Sequence, residues 1–339
     1  MLFRSTVARA VALVLGLGLV TAACGQYSIS NIRALKAFKE GNDLYGRKEY
    51  KSAAAHYEEV FQRNPEFRGI AYFFLANSYD NLYKDSRKGE PENDAYLTKA
   101  VENYKLAITK IKDNDAPTAA DVRKRSYEFL IAAYKDKMKD FEQAEPIAKQ
   151  MIDMDPGDPT NYQVLGALYE DSGRYDEAEQ MFVKSTTVKP NDPQVYSALA
   201  GYYNRQDDGK PGKFERTMGA LQKRAIAEPN NPEAWHTMST YYTDKVTKDV
   251  KLPKAKIMEY TFAGIAADDK ALAINAGYTE AMIFKNILLR VQATFEVPAK
   301  RAALIKEADE LQARAIELRK EAEKGAAATA PKKPGGGEK

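Results

Sequence analysis

The sequence predicts an all-α protein made of about seven helical hairpins that repeat along the chain. Large aromatic residues and small residues recur at intervals of 34 or 35 residues, and prolines separate the intervals. No segment shows the alternating apolar pattern that is typical of a half-buried strand. A repeat of this length indicates a solenoid, in which each hairpin buries its apolar face against its neighbours.

The clearest repeat lies between residues 159 and 192. Residues three and four apart share one face of a helix, so the signature residues of the first helix point the same way. Gly166 has no side chain, which lets the second helix approach closely, and Ala178 is the small contact on that second helix. Pro190 ends the second helix, because proline cannot continue a helix interior. The residues that carry the pattern are Tyr162, Leu165, Gly166, Tyr169, Ala178, Phe182 and Pro190.

The same frame returns in both directions along the chain. Tyr196 and Leu199 lie 34 residues after Tyr162 and Leu165, and Tyr127 lies 35 residues before Tyr162. The pattern resembles the tetratricopeptide repeat family, with Tyr162 where that family has Trp. The resemblance covers residues 34–324 and implies a right-handed superhelical solenoid. It divides the chain into units near 34–67, 69–117, 124–158, 159–192, 193–231, 232–276 and 278–324.

A long last helix is predicted after Pro298. Leu304, Ala308, Leu311, Ala315 and Leu318 are spaced 4, 3, 4 and 3 residues apart, with charged residues on the opposite face. A solenoid needs a terminal helix with a polar outer face, so we interpret this helix as a cap. A coiled-coil contact with a partner is the alternative. Residues 325–339 are mostly Ala, Pro, Gly and Lys and are predicted to be a disordered tail.

The first residues are typical of a secretion signal. Arg4 and Arg9 precede an apolar run, and small residues lead to Cys24, the single cysteine. The run is too short to span a bilayer comfortably. It resembles the lipobox of bacterial lipoproteins, with Thr21 where Leu is usual, and this implies a signal peptide at 1–23, lipidation of Cys24 and a linker at 24–33. An incidental cysteine behind an ordinary cleavage site is the alternative. By the same resemblance, Gly25 favours the outer membrane, facing the periplasm.

Composition excludes several classes of function. Removing Arg4 and Arg9 with the signal leaves 49 basic residues against 48 acidic ones, which argues against a nucleic-acid binder. His56 and His236 are far apart and neither has a metal-ligand spacing, so no metal and no cofactor are predicted. No motif of a catalytic nucleophile or phosphate loop is present, so we predict no enzyme activity and no small-molecule substrate.

The family resemblance places a concave groove along the first helix of each unit. Projecting its groove positions onto the N-terminal units gives an apolar strip beside an amide strip, which suits an extended or helical peptide. The predicted protein-binding residues are Phe38, Asn42, Tyr45, Phe73 and Asn77. Packing of Phe38 under the preceding segment is the alternative. Longer segments near 207–212 and 245–253 are either tolerated loop growth or a partner-facing rim.

These observations predict a non-catalytic protein–protein interaction scaffold, anchored by lipid to the bacterial cell envelope. One alternative is an assembly factor for outer-membrane barrels, secretins or pili, since repeat lipoproteins of those systems are similar. A distant alternative is an enzyme acting on cell-wall polymer, which would need a clustered acid pair in the groove.

Overall fold

The computed structural model describes residues 29–206 and 212–329, and within these ranges the chain is helical without strands. The all-α prediction is therefore confirmed. A π-helical turn, Ala133–Met138, continues α5, and a short 3₁₀ turn, Asp85–Arg87, follows α3. The helices are α1 (Ile29–Gly46), α2 (Tyr50–Arg63), α3 (Ile70–Leu82), α4 (Pro91–Lys110), α5 (Ala119–Ala132), α6 (Phe141–Met154), α7 (Pro159–Asp171), α8 (Tyr175–Val188), α9 (Pro193–Arg205), α10 (Lys213–Ala227), α11 (Pro232–Lys248), α12 (Lys254–Ile274), α13 (Thr279–Ala293) and α14 (Pro298–Thr329).

The chain divides into two compact units. Unit 1 contains the described residues up to Pro156 together with residues 167–173, and unit 2 contains residues 157–166 and the chain from Arg174 onward. Each unit consists of helices that pair as consecutive antiparallel hairpins. The described helices form seven such hairpins, from α1–α2 to α13–α14, which agrees with the predicted number.

Unit 1 begins with the hairpin of α1 and α2. Ala34 and Ala37 are buried on the inner face of α1 against Val60 of α2 and Ala71 of α3. Alanines at these positions let the helices approach closely, and larger rings fill the space around them. α1 and α2 approach closely at Gly41, where an added Cβ atom would lie 2.8 Å from the Tyr57 ring.

Unit 2 repeats this construction with the predicted signature. Gly166 of α7 and Ala178 of α8 are buried, and a Cβ atom added at Gly166 would lie 3.1 Å from the Phe182 ring. New hairpins begin at Pro193 and Pro232, the first residues of α9 and α11. Proline suits the first helical position, since the N–H it lacks would have no partner there.

The last helix packs as the sequence predicts along α13. Ala308 and Ala315 are buried, and Arg290 of α13 donates a hydrogen bond to Asp309 of α14 at 2.5 Å. α14 ends at Thr329, beyond the predicted start of the disordered tail, because its last turn is rich in alanine, the strongest helix former. Residues 330–339 lie outside the described part of the chain.

The first helix also differs from the sequence-based boundary. α1 begins at Ile29, inside the segment 24–33 that was assigned to a linker. Its first turns contain no glycine or proline, and Asn31 is tied to Asn64, at the end of α2, by a hydrogen bond between their side chains. No helix among the described residues is long and apolar enough to cross a membrane.

Candidate protein-binding face

The predicted groove residues lie on the first helices of the unit 1 hairpins, but two of them are buried. Phe73 of α3 is covered by the rings of Tyr104 and Phe129, whose centroids lie 6.1 and 5.9 Å from its own. Asn77, one turn further along α3, is buried as well. A partner must reach the side chains that it binds, so Phe73 and Asn77 contribute packing rather than contact area in this structure.

Asn77 is the centre of a hydrogen-bond network that joins three helices. Its Oδ1 accepts from the Tyr45 hydroxyl at 2.6 Å and from Asn81 Nδ2 at 2.9 Å. Its Nδ2 donates to the Tyr104 hydroxyl at 3.0 Å. A buried amide that is fully paired in this way fixes the position of every group bonded to it. The network therefore holds Tyr45 and Asn81 at the surface in one arrangement.

Phe38 is half-buried in a cluster of rings. Its centroid lies 5.5 Å from that of Phe67, 5.9 Å from Tyr57 and 6.1 Å from Phe74. Asn42, one turn further along α1, is exposed, and its Oδ1 accepts from the Tyr57 hydroxyl at 2.8 Å. Phe38 thus supports the surface, and Asn42 forms part of it.

Two residues of α5 extend the accessible surface. Phe129 is partly exposed, stacks on Tyr104 at 5.8 Å between centroids, and lies one turn from Arg125, which is exposed. Burial raises the pKa of the Tyr45 hydroxyl, with Tyr50 acting in the same direction, and the nearby charge of Arg125 lowers it. Arg125 therefore lies within electrostatic reach of α1. We call the set Asn42, Tyr45, Asn81, Arg125 and Phe129 the unit 1 face.

The unit 1 face has hydrogen-bonding capacity that the described residues do not use. Asn42 accepts a hydrogen bond through its oxygen, and Asn81 donates hydrogen bonds through its nitrogen. No side chain or backbone group of the described residues is hydrogen-bonded to the Asn42 Nδ2 or to the Asn81 Oδ1. Arg125 forms no ion pair with the described residues. The surface thus presents one amide donor, one amide acceptor, a cation and an aromatic ring. The sequence frame missed Asn81, Arg125 and Phe129, although Arg125 and Phe129 have the four-residue spacing of a shared helix face.

A second polar cluster lies inside unit 2, where the sequence indicates only an acidic pair. Asp268 of α12 is fully buried, its Oδ1 lies 2.9 Å from His236 Nδ1, and its Oδ2 accepts from Ser239 at 2.6 Å. Burial raises the pKa of Asp268, and the hydrogen bonds from His236 and Ser239 partly oppose this. Ser239 donates to the carboxylate and not to the histidine, so the cluster lacks the serine–histidine bond of an activated nucleophile.

Gly212 and the longer segment near 245–253 border a cleft of about 1220 Å³ between α10, α11 and α12. Of the lysines that line it, Lys245 pairs with Asp249 at 2.9 Å, and Lys248 pairs with Asp244 at 2.8 Å. Residues 207–211, in one of the two longer segments, lie outside the described part of the chain.

Two further sequence predictions concern Cys24 and metal binding. Cys24 lies outside the described residues, so its lipidation stays a prediction. Among the described residues, no group of three or more His, Cys, Asp or Glu side chains is arranged to hold a metal ion. The repeat signature residues are buried apart from Pro190, which follows α8 on the surface.

The hairpins and their small-residue contacts define the class of protein. The tetratricopeptide repeat family model matches residues 137–202, and this match supports the assignment of these hairpins to that family. Stacked repeats of this kind present extended surfaces that are used for binding other proteins. No curated protein sequence matches the chain.

Several solved structures are similar to the chain at low identity. The C-terminal part of a TPR repeat-containing protein from Cytophaga hutchinsonii is 16% identical with a TM-score of 0.50, and the match covers 83% of this chain and 98% of that one. MamA from Desulfovibrio magneticus RS-1 is 16% identical over 58% of this chain and 95% of that one, with a TM-score of 0.36. YrrB, a TPR protein with an unusual peptide-binding site, is 16% identical over 64% and 96%, with a TM-score of 0.38. The first of these supports the fold alone.

Proposed function

We propose that the protein is a non-catalytic interaction scaffold of the bacterial cell envelope, which binds an extended segment of a partner protein on the unit 1 face. The observation that carries this proposal is the pair of half-used amides, Asn42 and Asn81, of which Asn81 is linked to Tyr45 through Asn77. An extended peptide has a backbone N–H and C=O at every residue, and the free amide groups match both. The partly exposed rings of Tyr45 and Phe129 supply the apolar contact that anchors such an interface.

The charge of Arg125 adds selectivity for the partner. A guanidinium group without an ion-pair partner binds a carboxylate through paired hydrogen bonds. A segment with an acidic side chain near this position is therefore favoured over a basic one. Arg125 forms no ion pair with the described residues, whereas Asp80 of α3 is paired with Lys137 at 2.7 Å.

The membrane location is a separate part of the proposal. The apolar run that ends at Cys24 supports cleavage before this residue and its acylation, with anchoring in the outer membrane. Several acyl chains hold a protein stably, since each buried CH₂ group contributes about 0.8 kcal/mol. Cys24→Ser should abolish labelling by a fatty-acid analogue and move the protein from the membrane fraction to the soluble fraction, or leave the signal uncleaved. Unchanged labelling and fractionation would refute lipidation.

Binding at the unit 1 face can be tested in cells without knowing the partner. A photoreactive amino acid is placed at position 42 or 129, and a matched one at Thr109, an exposed residue of α4 that lies outside the unit 1 face. We expect a specific crosslinked product from positions 42 and 129 and none from 109. Arg125→Ala should weaken that product, because it removes the cation. Equal crosslinking from all three positions would contradict the proposed site.

A further inference from the structure

We propose that the outer face of α1 is a second membrane contact, one that binds the surface of an anionic lipid bilayer. Its position near a membrane rests on the proposed acylation of Cys24. Its affinity for lipid does not depend on acylation, because that affinity arises from side chains of the folded helix. We define the α1 outer face as Ile29, Ile32, Arg33, Leu35, Lys36 and Lys39.

The apolar part of this face is uncovered. Ile29 is 70% exposed, Ile32 is 58% exposed and Leu35 is 37% exposed, while Ala34 and Ala37 on the opposite side are buried in the hairpin. The three exposed residues are spaced three apart, so they follow one another along the solvent side of the helix. Large aliphatic side chains gathered in this way mark a contact surface rather than scattered surface residues.

The charges on the same face are all positive. Arg33, Lys36 and Lys39 are exposed, and no acidic residue occurs in α1 before Glu40. The nearest opposite charge is that of Glu40 itself, 3.8 Å from Lys36 in a solvent-exposed pair. Exposed pairs of this kind are weak, so the basic groups stay available. Aliphatic and basic side chains on one helix face are the combination that rests at the headgroup boundary of an anionic membrane.

The chain that precedes α1 brings this face to the membrane. Only residues 25–28 separate Cys24 from Ile29. Five Cα–Cα steps span at most about 18 Å even when fully extended. An acyl group on Cys24 therefore keeps the first turns of α1 within reach of the lipid headgroups. The α1 outer face lies at the end of the described chain that is closest to the anchor, which favours lipid over a distant protein partner as its occupant.

The experiment uses the mature chain with Cys24→Ser, made without residues 1–23, so that no acyl group contributes. Its partition is measured by flotation with vesicles of phosphatidylglycerol and phosphatidylethanolamine, and with vesicles of phosphatidylcholine alone. We expect binding to the anionic vesicles that weakens as salt is raised. Each basic residue near an anionic surface raises the partition coefficient about fivefold. The double variant Arg33→Gln with Lys36→Gln should therefore lower the partition coefficient onto anionic vesicles roughly 25-fold.

Matched variants distinguish binding by the α1 outer face from nonspecific binding to vesicles. Ile32→Ser should lower partition roughly fivefold, since about half of its side chain is available for burial. Ile226→Ser and Lys223→Gln change an equally exposed pair on α10 and should leave partition unchanged. Circular dichroism should be the same for all variants, because each changed side chain is exposed.

Three outcomes would overturn the proposal. The first is an absence of preferential binding to anionic vesicles. The second is equal loss of binding in the α1 and α10 variants. The third is concentration-dependent self-association in sedimentation that Ile32→Ser abolishes, which would make a second copy of the chain the occupant. None of these outcomes bears on lipidation, which the labelling of Cys24 tests separately.

Discussion

Gly166 is predicted to be the position where a side chain is least tolerated in the α7–α8 hairpin. An added Cβ atom would lie 3.1 and 3.2 Å from two carbons of the Phe182 ring and 3.3 Å from Met181 Cβ. The ring cannot move aside easily, because Phe182 is buried and stacks on Tyr202 at 4.9 Å between centroids. Tyr202 is itself buried, and its hydroxyl donates to the Tyr175 carbonyl at 2.6 Å.

The size of the effect follows from two opposing contributions. Leucine is favoured over glycine in a helix interior by about 0.8 kcal/mol. Forcing extra carbon atoms into a packed contact costs about 1–3 kcal/mol, and the fixed ring places Gly166→Leu in the upper part of that range. We therefore expect Gly166→Leu to lower the free energy of unfolding of unit 2 by about 2 kcal/mol.

Gly219 provides the matched control in the same unit. It is an exposed residue in the interior of α10, and an added Cβ atom there would meet nothing within 4 Å. Gly219→Leu therefore has the helix-propensity gain without the clash and should stabilise unit 2 by about 0.5–0.8 kcal/mol.

The assay is urea unfolding followed through the fluorescence of Trp235, the single tryptophan, which lies in unit 2. With a slope of about 2–3 kcal/mol/M, Gly166→Leu should lower the midpoint by about 0.5–1 M, and Gly219→Leu should raise it slightly. If both variants raise the midpoint equally, α7 and α8 do not meet closely at Gly166 and the packing argument fails.

Two further predictions concern buried polar groups, each measured by urea unfolding. Asn77→Ala removes an amide that is paired through both its oxygen and its nitrogen, and it should lower the free energy of unfolding by about 2–3 kcal/mol. Asn81→Ala should lower it by under about 1 kcal/mol, because Asn81 lies nearer the surface. Equal losses would show that Asn77 is not the centre of the network. Asp268→Ala leaves His236 without its buried partner and should cost about 3 kcal/mol, against about 1 kcal/mol or less for the exposed neighbour Asp269→Ala. Burial raises the pKa of Asp268 in the folded protein. Its protonated form therefore makes its full contribution to the free energy of unfolding below the unfolded pKa of about 3.9, and this contribution is lost as the pH rises through the raised pKa of the folded state. The stability of Asp268→Asn should therefore fall less than that of wild type as the pH rises above the unfolded pKa, and equal pH dependence of the two proteins would argue that the pKa of Asp268 is not raised.

The hairpins could be predicted from the sequence because their contacts are local. Gly166 and Phe182 are sixteen residues apart, and the spacing of small and aromatic residues within one repeat specifies which groups meet. The same holds for Gly41 and Tyr57 in α1 and α2. A periodic pattern contains this information since each hairpin repeats one packing solution.

The accessible surface could not be predicted in the same way, because it depends on contacts between hairpins. Phe73 occupies a groove position in the repeat frame, but Phe129, 56 residues later, covers it. Asp268 is likewise bonded to His236 and Ser239, which lie on the preceding helix, about thirty residues away. Repeat spacing assigns a residue to a helix face, whereas the side chains of neighbouring repeats decide whether that face is open.

The bonding of Asn77 separates the positions that can change during evolution from those that cannot. Tyr45 and Asn81 contact both the surface and this buried amide, so a substitution that alters recognition at either position also disturbs the interior. Arg125 has no such link, and Phe129 is joined to the interior only by contacts between rings. New partners should therefore be acquired through residues 125 and 129, while Tyr45 and Asn81 are inherited unchanged, and engineered specificity should begin at the same two positions of α5.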